Sequence, residues 1–154
     1  LSIDWPKTSR DDVRALFDLN FLIALIDSEH VHHARALQWW SQNRIGGWAS
    51  CPLTQNGFVR VVSQPSYSFP ISIGGAFEHL RRNTETDDHV FWPDDISLLD
   101  DRVIDRGRIL GPKQLTDIYL LALAVKHGGR LVTLDRAIPV GAVRGAERHH
   151  VMVI

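Results

Sequence analysis

Three aspartates, Asp18, Asp117 and Asp135, stand at the boundaries of apolar runs that lie far apart in a chain of 154 residues. Residues 14–17 and 130–134 read as short buried strands, and each delivers an aspartate at its carboxyl end. In a parallel α/β sheet the helix that follows a strand starts at that same edge and runs back. Asp117 opens such a helix, over 117–127, apolar around most of its circumference as a buried helix is. The pattern therefore calls for an α/β fold that gathers three carboxylates at one sheet edge, which is how a metal site is built from distant sequence.

The rest of the chain supplies the intervening elements. Residues 20–27 carry a compact apolar block on a short helix, and 31–43 form a second with Ala34, Leu37 and Trp40 at helical spacing. A strand over 48–51 leads into Pro52, suited to the first turn of a helix over 53–63. Gln55 lies in that opening turn, at the same edge as the aspartates. A loop with Pro65 and Pro70 follows, then a helix capped by Ser72, a strand over 89–92 and a short helix over 100–108. Lys126, His127, Gly128 and Gly129 end the 117–127 helix, with basic residues on its negative end and glycine for a left-handed turn. A last strand spans 149–154. Residues 1–12 are polar and aperiodic, an N-terminal appendage expected to be poorly ordered, and 13–154 form one domain.

Composition excludes several classes. The longest apolar run, Ile118 to Val125, is far short of the roughly 20 residues that span a bilayer. The chain reads without a secretory leader, and its single cysteine, Cys51, cannot form an internal disulfide, so a cytoplasmic protein is expected. Net charge is −1, unlike that of a protein that coats nucleic acid; of its 17 basic residues, 14 are Arg, the side chain that grips phosphate bidentately. Carboxylates gathered at one edge would repel an RNA backbone unless a divalent cation neutralised them.

Four segments carry a family resemblance. Leu16-Phe17-Asp18-Leu19-Asn20-Phe21-Leu22-Ile23-Ala24-Leu25, Thr54-Gln55-Asn56-Gly57-Phe58-Val59-Arg60-Val61, Leu115-Thr116-Asp117-Ile118-Tyr119-Leu120-Leu121-Ala122-Leu123-Ala124 and Leu131-Val132-Thr133-Leu134-Asp135 resemble, in order, the motifs of the PIN-domain ribonucleases, most closely the VapC-type toxins of type II toxin-antitoxin systems. The resemblance implies a three-layer α/β/α sandwich around a mainly parallel sheet, and a Mg²⁺- or Mn²⁺-dependent endoribonuclease. It further implies a homodimer held in check by a cognate antitoxin, whose carboxyl-terminal segment lies across the acidic edge. Carried over by position, Asp18 and Asp117 match the metal-binding acids and Asp135 the last acid. The second acid of the family, usually Glu, falls on Gln55, which removes one negative charge.

The chemistry is consistent with those residue types. Mg²⁺ takes oxygen ligands and keeps several waters, so two or three carboxylates suffice. Asn20, Gln55, Thr116 and Thr133 are neutral candidates for orienting carboxylates or waters. Because Gln55 weakens the acid cluster, the alternative is a PIN-fold protein that binds RNA or a partner with little cleavage. A phosphatase with Asp18 as nucleophile is disfavoured by Asn20, where a second aspartate is expected. His30, His32 and His33 read as surface or packing histidines, and Trp39, Trp40, Trp48 and Trp92 as core or dimer packing rather than base-stacking platforms. Ser50 and Cys51 lack the glycine elbow of a nucleophilic hydrolase.

Overall fold

The structure is a computed structural model that describes residues 13–154; the appendage expected over 1–12 lies outside the described residues. Five strands, β1 (Ala15–Phe17), β2 (Trp48–Ser50), β3 (His89–Phe91), β4 (Arg130–Thr133) and β5 (Val151–Val153), form one sheet. Their order is β3-β2-β1-β4-β5 and every pairing is parallel. The helices are α1 (Leu19–Ile26), α2 (His33–Asn43), α3 (Pro52–Val62), α4 (Ile73–Thr84) and α5 (Leu115–Lys126).

Successive residues of a strand point to opposite faces, and the two faces build two cores. Ala15, Phe17, Trp48 and Val132 pack with Phe21 and Leu22 of α1, Phe58 of α3 and Leu80 of α4. Leu16, Ala49 and Leu131 pack on the other side with the buried residues of α5. Each large apolar side chain so buried contributes about 1.5–3 kcal/mol relative to exposure. This burial on both faces explains why the central strands read as unbroken apolar runs, and it gives the expected three layers.

Phe17 is the centre of an aromatic group. Its ring stacks on Trp48 at 5.2 Å and meets Trp40 and Trp39 edge-on at 5.6 and 6.4 Å. Those tryptophans therefore serve the core. The stop after α5 is also as read: Gly128 takes φ +70°, and a Cβ on Gly129 would stand 2.6 Å from the Trp92 ring and 2.7 Å from the Arg14 carbonyl. Only glycine lets β4 enter beside β1 there.

One expected element is absent. Residues 100–108 form turns and a 3₁₀ segment, Arg106–Arg108, instead of a helix, and Ile104 makes an antiparallel bridge to Val143. The aspartates explain it. Asp100 Oδ1 accepts from the Arg102 N–H at 3.0 Å and Asp105 Oδ1 from the Gly107 N–H at 3.2 Å, local bonds that compete with helical ones. Burial of Ile104 then fixes the extended path.

Candidate active site at the carboxyl edge of the sheet

The strand order reverses between β1 and β4, and in open parallel sheets the crevice beyond the carboxyl ends at such a reversal is where ligands bind. Asp18 follows β1 there. It is the N-cap of α1, its Oδ1 accepting from the Phe21 N–H at 2.8 Å. Its Oδ2 accepts a hydrogen bond from the Thr133 hydroxyl, at the end of β4. Thr133 Oγ1 in turn accepts from the Asp135 N–H at 2.9 Å. One buried hydroxyl thus ties the acid that follows β1 to the backbone of the acid that follows β4. Asp135 Oδ1 closes a turn by accepting from the Ala137 N–H at 2.9 Å.

Asp117 reaches the same edge from the first turn of α5, where the helix dipole favours a negative charge. The three carboxylates feel one another. Burial pushes the Asp18 carboxyl up to about 6, against the lowering effect of its bonds to Thr133 and Phe21, and the charges of Asp117 and Asp135 add to the rise. Asp117 is also raised, first by burial and then by Asp135. Among the described residues no Lys or Arg forms an ion pair with any of the three.

This donor set suits a hard cation: it is all oxygen, negatively charged and self-repelling. Among the described residues no three His, Cys, Asp or Glu side chains close into a ready-made cage. Mg²⁺ does not require one, since it keeps several waters and is commonly held by one or two carboxylates.

Gln55 sits in the first turn of α3, at the same edge, but no hydrogen bond joins it to the aspartates. Its Nε2 donates to Ser50 Oγ at 2.9 Å, and Ser50 Oγ also meets His89 Nε2 at 2.8 Å. Of the neutral candidates, Thr133 orients an acid directly, whereas Asn20 and Thr116 are exposed. Next to Asp18 in the strand register, Cys51 opens α3 with its N–H donating to Thr54 Oγ1 at 3.1 Å. Ser50 and His89 are the residues that sequence reading did not connect to the site. Their contact depends on β2 pairing with β3, which no local pattern announces. The histidines at 30–33 bond locally: His30 Nδ1 accepts from the His32 N–H, and His33 Nδ1 lies 2.8 Å from the Ala24 carbonyl.

Comparison with known proteins gives a family match for the PIN domain over residues 15–142. The chain is 53% identical over 142 residues to Ribonuclease VapC44 of Mycobacterium tuberculosis, covering 92% of this chain and all of that one. It is 41% identical over 132 residues to Ribonuclease VapC39 of the same organism, covering 85% and 95% of the two chains. Among solved structures, VapBC2 from Rickettsia felis bound to a DNA fragment from its promoter aligns with TM-score 0.48 and 13% identity, over 79% of this chain and 87% of that one. Among the described residues no helix is long and apolar enough to cross a membrane.

Proposed function

The chain belongs to the PIN domain family, and from that premise we propose that it is a Mg²⁺- or Mn²⁺-dependent endoribonuclease of the VapC type, a toxin neutralised by a cognate antitoxin. The observation that carries this reading is the set of three mutually repelling aspartates at the β1/β4 reversal, in a chain more than half identical to a named ribonuclease over most of its length.

Asp18, Asp117 and Asp135 would hold the metal. When bound, it supplies positive charge opposite the scissile phosphate and the leaving oxygen and lowers the pKa of a water. The protein supplies position. Asp18 cannot swing, because the Phe21 N–H and the Thr133 hydroxyl each hold one of its oxygens. Thr133 fixes the Asp135 backbone with the same oxygen, so the two acids keep a set relation. The α5 dipole supports ionisation of Asp117. No protein nucleophile is needed for hydrolysis by water. Partners under this reading are an RNA substrate, an antitoxin laid across the acidic edge and a second copy of the chain.

The purified chain should cut structured RNA only with Mg²⁺ or Mn²⁺, and a chelator should stop it. Asp18→Asn and Asp117→Asn should abolish cleavage while the fold persists. Full activity in excess chelator would end the metal mechanism. The other reading, RNA binding with weak cleavage, is favoured by the engagement of the Gln55 amide with Ser50; retention of RNA in a mobility-shift assay with no cut product in any divalent ion would select it.

A further inference from the structure

Ser50, the last residue of β2, is fully buried, and its hydroxyl has two side-chain neighbours, Gln55 Nε2 and His89 Nε2. An amide nitrogen only donates, so Ser50 Oγ accepts from Gln55. Its proton and its second lone pair both remain for His89 Nε2, 2.8 Å away, so the hydroxyl can donate to a bare Nε2 or accept from Nε2–H.

The surroundings of His89 agree with a neutral ring. It lies against the Trp48 indole at 4.5 Å, and burial is the largest influence, lowering the imidazole below its usual value. Thr84 and the Asp88 carboxylate oppose that lowering, and the Arg14 guanidinium reinforces it. Gln55 also borders a cleft of about 820 Å³ between α3 and α4, together with Asn56, Arg60, Phe77 and Arg81. No described residue donates to its Oε1.

We infer that Ser50 and His89 are positioning residues that hold Gln55 by its amide nitrogen and present Oε1 as a neutral hydrogen-bond acceptor at the mouth of this cleft. Resting on the ribonuclease reading, the group it receives is an O–H or N–H of the RNA. A carboxylate at position 55 could not use the same arrangement. Glu would need the Ser50 proton, Ser50 would then need Nε2 of His89 as its donor, and the carboxylate beyond the hydroxyl would favour the charged imidazole. The identity of residue 55 and the charge on His89 are therefore coupled through one hydroxyl.

The test is ¹⁵N NMR of the full chain. Wild type at neutral pH should show His89 as a neutral imidazole. Gln55→Glu should raise the His89 pKa by about one unit or more, and adding Ser50→Ala should cancel that rise. His89→Phe keeps an aromatic ring against Trp48, and by releasing the Ser50 hydroxyl that holds the Gln55 amide should raise KM for RNA about tenfold with kcat little changed. A His89 charged at neutral pH in wild type, or a His89 pKa indifferent to Gln55→Glu, would overturn the inference. Should Ser50→Ala not fold, the His89→Phe variant still decides: an unchanged side-chain amide signal for Gln55 refutes the positioning. Absence of RNA cleavage by wild type with the NMR coupling intact would sink the ribonuclease reading and uphold the hold on Gln55.

Discussion

Asp18→Asn should make the metal-free protein more stable at neutral pH, and the structure gives the size of the effect. The Asp18 carboxyl is raised from 3.8 to about 6. A raised carboxylate pKa means that the folded state resists ionisation, so the associated stability is full below the unfolded value and is lost as pH rises through about 6. At pH 7.5 the shift of roughly two units corresponds to about 3 kcal/mol, at 1.36 kcal/mol per unit. Asparagine carries no charge and is itself a favoured N-cap, able to accept from the Phe21 N–H. Its amide fits Thr133 less well than a carboxylate does, which takes back about 1 kcal/mol. The net gain of about 2 kcal/mol translates to roughly 4–8 °C in Tm for a domain of this size. Thermal melts in chelator should show that gap at pH 7.5 and its disappearance by about pH 4.5, where wild-type Asp18 is protonated. Added Mn²⁺ should raise the Tm of wild type and leave that of the variant nearly unmoved. A variant that melts below wild type at pH 7.5 but not at pH 4.5 would show that the buried charge is stabilised by its surroundings, and the electrostatic account of the site would fail.

Thr133→Val should cost about 1–3 kcal/mol in denaturant unfolding, by stripping Asp18 of its hydroxyl donor and the Asp135 N–H of its acceptor, and should reduce cleavage at saturating metal. Gly129→Ala places a methyl against the Arg14 carbonyl and the Trp92 ring; unfolding should show a loss of about 1–3 kcal/mol, and a neutral result would mean that β4 and β1 can part without penalty. Gln55→Glu restores a negative charge at the edge and should lower the Mg²⁺ needed for half-maximal cleavage about tenfold, as read from metal titrations. Asp117→Lys should weaken antitoxin binding by at least about tenfold, measured by calorimetry; undiminished affinity would mean that the partner does not lie across the acids.

The central strands were legible because burial on both faces leaves an unbroken apolar run, and chain direction alone then placed an aspartate at the end of β1 and another just past β4. The helix holding Asp117 was legible for the same reason, being apolar nearly all round. Residues 100–108 were misread because the outcome was decided by aspartate side chains turning back on their own backbone. Gln55 illustrates a different limit. Sequence put it on the correct turn of the correct helix, but where its amide points depends on a serine and a histidine brought together by strand pairing.

Cys51 gives this architecture a built-in clock. It is the only thiol in the chain, it is wholly buried, burial pushes its ionisation up, and it opens α3 beside the strand that Asp18 follows. A thiol reagent can reach it only when the junction of β2 and α3 parts, so the labelling rate under native conditions counts openings at that edge. Metal, antitoxin or RNA bound over the acids should slow the reaction in proportion to how firmly each clamps the junction, and a single unmodified cysteine would rank all three on one scale of time.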